Sequence, residues 1–290
     1  MDGVTTYELS DSMPAEVRAL ARRFTVVHAL NEFVGALPYS EWVDRAPSHA
    51  RKQMLMAKVQ DEVGHGHVTA RLAEDLGVAR ERVLLDYVEG KSKVHNIFHY
   101  DFASWEEFGP GLLLQNSAAI VQFQSLMHGV YLPYGRALRR IEREESFHYQ
   151  HAQDMIHEVM LRGDADQRRT AQRSFETWLP RVLAYFGPRD GDTIGENRAW
   201  QLGMKPDSND VQRQRWLTRI IPVFVRLGID VDPALARQDE SGTWTYAMPD
   251  WSQVRAVINN GGPASEKRLA WVRGVLDRNA RYRRAMGRTA

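Results

Sequence analysis

The stretch QMLMAKVQDEVGHGHVTARLAEDL, residues 53–76, decides the fold class. It contains no proline, follows Ser48, a residue type that caps helix starts, and stops just before Gly77, a residue type that ends helices. Leu55, Lys58, Glu62, His65, Thr69, Leu72 and Leu76 step along it by alternating threes and fours, the spacing of one helix face. That face is apolar at its ends and carries a lysine, a glutamate and a histidine in its middle. An ionised carboxylate inside a core is costly unless it meets a metal, an ion pair or hydrogen bonds.

The same unit recurs further along the chain. Glu145-Ser146-Phe147-His148 falls on a face made with Leu138, Ile141, Ala152 and Met155. Residues three apart on a helix can reach one ion. A single Glu-x-x-His is weak, because helix surfaces produce it by chance. Two of them, each on a core-facing stripe, point to a shared metal site. Bundles of this kind add one carboxylate from each of two further helices. Glu32 lies 30 residues before Glu62, beside small residues suited to close packing. Counting back similarly from Glu145 reaches Gln115-Asn116, and Asn116 shares a face with Leu112, Leu113, Ala119, Ile120 and Phe123. No Asp or Glu occurs between Phe108 and Ile141. The donor set is therefore three carboxylates, two imidazoles and one neutral carboxamide.

Each residue also has a plainer reading. Glu32 alone suits a helix-end surface, Glu62 suits an intrahelical pair with Lys58, and His65 and His148 suit satisfied core histidines. The repeated unit and spacing favour the joint metal reading. His67, His95, His99, His128 and His157 lack matching partners and are read as structural. His151, one turn past His148, is expected beside the site rather than in it.

The remaining punctuation completes an all-α organisation. A first helix runs from Ser12-Pro14 to about Ala36, and a short one spans about 80–89. Long ones follow at about 106–127 and from Pro133 to about Leu161. A helix at 165–186 precedes a long loop, and another runs from Ser208 to Gly228 with a kink at Pro222. A short hairpin surrounds Ser241–Trp244. Two arginine-rich helices, 251–259 and 264–285, close the chain, their arginines expected on a solvated face. The expected architecture is a single domain, with a core bundle over about 12–163 and an extension over about 164–290.

Composition narrows the function. The chain has 290 residues with a net charge of +1, which gives no electrostatic reason to expect nucleic acid or an anionic membrane. No apolar run spans a bilayer and no signal peptide is evident, so a soluble cytoplasmic protein is expected. There is no cysteine, which excludes disulfides, thiolate nucleophiles and cysteine-held iron–sulfur clusters within the chain.

Six segments carry a family resemblance: AKVQDEVGHG (57–66), GKSKVHNIFHYDFASW (90–105), SAAIVQF (117–123), YGRALRRIEREESFH (134–148), YFGPRD (185–190) and DWSQVRAVINNGG (250–262). Together they resemble the catalytic A subunits of bacterial phenylacetyl-CoA epoxidases, within the ferritin-like di-iron proteins. The resemblance implies a ferritin-like four-helix bundle with additional C-terminal helices. It also implies two iron ions, with dioxygen as co-substrate and electrons from a separate reductase. Glu62 and Glu145 would bridge the metals, His65 and His148 would each complete one iron, and Glu32 would be a terminal ligand. An acidic residue is the family's usual occupant at Asn116, so this chain departs at a ligand position. The resemblance further implies an acyl-CoA thioester substrate, with Lys91 or Lys93, and Lys205 and Asn209, near it; Lys93 and Asn209 are the candidates. Lys58 matches the family too. A related helical partner subunit, or a homodimer, is the expected assembly.

The leading reading is thus a di-iron monooxygenase, or epoxidase, of an aromatic or related acyl thioester. One alternative is a related oxygenase acting on a biosynthetic intermediate without coenzyme A. Another is a non-catalytic helical scaffold, against which the retained buried charges argue.

Overall fold

The computed structural model describes residues 5–192 and 194–286. The architecture is all-α, as the sequence predicts, with one small antiparallel hairpin among the described residues. The helices are α1 (Ala15–Ser40), α2 (His49–Asp75), α3 (Arg80–Val88), α4 (Trp105–Leu126), α5 (Leu132–Arg162), α6 (Ala165–Tyr185), α7 (Ile194–Gln201), α8 (Asn209–Arg226), α9 (Trp251–Ala256) and α10 (Ser265–Ala285). A 3-10 turn covers Asn96–His99, and strands β1 (Ala236–Gln238) and β2 (Trp244–Tyr246) pair with Ala236 opposite Tyr246. No helix among the described residues is long and apolar enough to cross a membrane.

The helix starts follow the capping residues. The Ser48 hydroxyl accepts from the Arg51 N–H at 3.2 Å, and the Ser208 hydroxyl from the Val211 N–H at 3.3 Å, each satisfying one of the unpaired first-turn donors. Gly77, with φ +89°, follows the end of α2 in the left-handed conformation that glycine adopts at little cost. Three details differ from expectation. α1 continues through Pro38 to Ser40. The stretch expected as a long loop after Gly187 contains α7. Arg268, expected on a solvated face of α10, is 0% exposed.

The chain divides into two compact units. The first joins the residues up to 20 with 102–254. Its centre is α4, buried on every side from Phe108 to Ala118 and packed on α5, α6 and α8, as an all-round apolar helix must be. Trp216 Nε1 donates to the Ser117 hydroxyl at 2.8 Å, tying α8 to α4. Arg213 is also fully buried, with the carbonyls of Gly187 and Pro188 at 2.6 and 2.9 Å and Asp210 at 2.7 Å.

The second unit comprises 21–101 and the residues from 255 on. Leu30, Val34, Ala70, Val83, Leu269 and Val272 build its core from α1, α2, α3 and α10. α1 and α2 approach closely at Gly66, where a Cβ would lie 2.6 Å from the Phe33 ring. Phe33 and Gly66 are the neighbours of Glu32 and His65, so this contact sets the register between two candidate ligands.

Candidate metal centre

The 3.6-residue period puts Glu62 and His65 on the buried face of α2, with Leu55, Lys58 and Thr69 above and below. The same period puts Glu145 and His148 among Leu138, Ile141, Ala152 and Met155 on α5. The two stripes predicted from sequence are therefore the stripes that are buried. Glu32 is buried on α1 and Asn116 on α4. His151 is buried on α5, while His67, His128 and His157 are exposed.

In the second unit, two imidazoles gather on Glu32. His28 Nε2 lies 2.7 Å from Oε1, and His65 Nδ1 lies 3.7 Å from Oε2. Burial pushes the Glu32 carboxyl up, but the hydrogen bond from His28 and the nearby imidazoles of His28 and His65 outweigh it and hold the group well below the usual range. The carboxylate is thus ionised across ordinary pH. One turn before Glu62, the Lys58 ammonium bonds its Oε1 and sits 4.4 Å from the centre of the Tyr39 ring. Lys58 is 1% exposed. A full cation buried at a carboxylate is what the site needs when no metal supplies the charge.

In the first unit, His148 Nδ1 lies 3.1 Å from Glu145 Oε2. Asn116 belongs to α4, which packs along α5. Each unit therefore presents buried carboxylate and imidazole donors on adjacent turns, a donor chemistry that suits iron. Lys58 holding Glu62 agrees with a site built for positive charge.

His28 is the residue that sequence reasoning missed. Its signal was present: it lies four residues before Glu32, the same i,i+4 relation that Lys58 bears to Glu62. The two thioester candidates differ in setting. Lys93 is half-buried, and no hydrogen bond or ion pair engages its ammonium among the described residues, whereas Lys91 is exposed and paired with Glu89 at 2.6 Å. Asn209 is 3% exposed in the first turn of α8, donating to the Pro188 carbonyl at 2.9 Å and accepting from Lys205.

A family model described as phenylacetic acid catabolic protein matches residues 4–280. The chain belongs to that family. The A subunit of the 1,2-phenylacetyl-CoA epoxidase of Escherichia coli (strain K12) is 36% identical over 282 residues, covering 95% of this chain and 91% of the relative. The family match runs past the helices that carry the candidate ligands, through α9 and into α10. The C-terminal helices are thus part of what the phenylacetic acid catabolic family shares and not an appendage.

Proposed function

We propose that the chain is the oxygen-activating component of a di-iron monooxygenase that epoxidises an aromatic acyl-CoA thioester such as phenylacetyl-CoA. The observation that carries this reading is the pair of buried Glu-x-x-His units on α2 and α5, joined with Glu32 on α1. The full-length likeness to the A chain of an epoxidase supports the substrate class.

In this reading the chain is a ferritin-like helical protein whose candidate ligands would hold a pair of irons. Glu32, Glu62, His65, Glu145 and His148 would hold the irons, and Asn116 would offer a neutral oxygen. When bound, the iron pair supplies the reduction of dioxygen: one oxygen atom enters the substrate and the other leaves as water, at the expense of two electrons and two protons. The chain's own residues do the rest. His28 fixes the plane of Glu32, and the apolar neighbours of Asn116 on α4, among them Leu112 and Leu113, keep water from the reacting atoms. Lys93 takes the phosphates of coenzyme A, and Asn209 contributes by holding Lys205. With no cysteine in the chain, the electrons come from a separate reductase. A related helical subunit completes the assembly, in the cytoplasm.

The experiment is oxygen incorporation. Iron-loaded protein, given phenylacetyl-CoA, a reductase and the helical partner under 18O2, is expected to give a product carrying one labelled oxygen and near two irons per chain. Glu62→Ala is expected to abolish both. Near-zero iron in the parent protein would instead favour a scaffold, and full iron in Glu62→Ala would sink the ligand assignment.

A further inference from the structure

Asn31 sits beside Glu32 on α1 and is buried. Its amide is used at both ends. Nδ2 donates to the Val27 carbonyl at 2.6 Å, one turn back on α1, and Oδ1 accepts from the His95 backbone N–H at 2.8 Å. That second bond crosses 64 residues of sequence. It lands two residues after Lys93, at the N–H that opens the 3-10 turn Asn96–His99.

The far end of this segment is held just as firmly, from α10. Arg268 Nε donates to the Phe98 carbonyl at 3.1 Å and Nη2 to the Tyr100 carbonyl at 3.3 Å. The Ala264 N–H donates to the His99 carbonyl at 2.9 Å, and the Ser265 hydroxyl meets His99 Nδ1 at 2.7 Å. Residues 95–101 are therefore clamped between α1 and α10. Lys93 projects from the last residues before the clamp, after the left-handed turn at Gly90.

The geometry points to Asn31 as a positioning residue: by fixing the His95 N–H to the turn of α1 that carries Glu32, it sets where Lys93 holds a coenzyme A thioester relative to that ligand. This rests on the reading of Lys93 as a thioester contact. The bond has the properties the role requires. It is well formed at 2.8 Å and partly buried, it joins a backbone group to a side chain rather than two flexible side chains, and it leaves the Glu32 carboxylate to its own partners. A merely structural asparagine would have little effect on ligand binding once the fold was intact.

The test uses the full chain loaded with iron and phenylacetyl-CoA as titrant in calorimetry, with iron content and hydrogen exchange at the His95 amide measured in parallel. Asn31→Leu is expected to weaken thioester binding roughly tenfold, to speed exchange at His95, and to keep the parent's iron content. Asn31→Asp, which retains the acceptor oxygen, is expected to restore binding to within about threefold. If Asn31→Leu fails to fold, Asn31→Ala carries the same comparison. Lys93→Ala separates the two ideas. If it binds the thioester as the parent does, the loop is not the thioester site, and the present inference falls with that reading. If Lys93→Ala weakens binding but Asn31→Leu does not, or if Asn31→Leu loses iron, Asn31 is not a positioning residue while the reading of the loop stands.

Discussion

His28 and Glu32 form a buried pair one turn apart on α1, with Nε2 of the imidazole 2.7 Å from Oε1 of the carboxylate. The second carboxylate oxygen faces His65 on α2 at 3.7 Å. The two oxygens of Glu32 thus have different duties: one is pinned within its own helix, while the other is presented toward a candidate ligand. A carboxylate held this way has its plane fixed before a metal arrives, which spares the ordering cost at binding.

Removing the pin is expected to weaken metal binding without unfolding the chain. His28→Phe fills the same space without a donor and is expected to lower iron affinity by about 10–100-fold. His28→Gln, which can still donate, recovers part of it. Competition with a chelator of known affinity reads the effect. Parental affinity in His28→Phe would show that Glu32 needs no such support.

Helices α2 and α8 were legible because each begins at a capping serine and ends beside a glycine, and the buried stripes of α2 and α5 because they interrupt apolar runs at fixed steps. The burial of Glu62, His65, Glu145 and His148 could be read from that pattern alone. The enclosed face of α4 was legible too, since Phe108–Ala118 offers no charged side to water. What escaped depends on tertiary distance. His28 looks like any other histidine on an apolar helix until its partner is known to be a buried carboxylate. Arg268 lies in a helix so rich in arginine that nothing local marks it as buried; its partners are the carbonyls of Phe98 and Tyr100, some 170 residues earlier. The Asn31–His95 bond is invisible for the same reason, because a backbone N–H carries no sequence signal.

Lys58 gives a test that turns on the metal itself. In metal-free protein it neutralises Glu62 at a site almost closed to water. Lys58→Met leaves that carboxylate buried without its cation and is expected to destabilise the metal-free form by about 3–5 kcal/mol. Bound iron takes over the role of the ammonium, so the penalty should shrink on loading. Urea midpoints of parent and variant, with and without iron, measure both differences. Equal penalties in the two states would mean that Glu62 does not face the metal.

In the proposed site, Asn116 would bear on the second iron. It is buried on α4 where a carboxylate would add a negative charge to the site. The proposed set holds three carboxylates, so two ferrous ions leave it with one unit of positive charge. Asn116→Asp removes that excess and is expected to raise iron content toward two per chain and to slow loss of the second ion to chelator. No gain on either measure would mean that position 116 is not a ligand.

His99 predicts a pH dependence that is separable from the metal ligands. Burial first, and then the nearby Arg268 guanidinium, push its imidazole down to about 4 from an ordinary value of 6.5, and the Val94 carbonyl offsets this only partly. Below pH 6.5 the unfolded chain takes up a proton at this residue that the folded chain refuses. Stability therefore falls as pH drops from about 6.5 towards 4, with a cost on the order of 3 kcal/mol once pH is below both values. Above 6.5 the residue contributes no pH dependence. Because the chain holds nine other histidines, the comparison must be a difference. His99→Asn, a neutral side chain still able to meet the Ser265 hydroxyl, is expected to lose less stability than the parent between pH 7.5 and 5 when both are unfolded in urea without metal. Equal losses would show that the neutral state of His99 is not what the clamp between α10 and the Lys93 loop depends on.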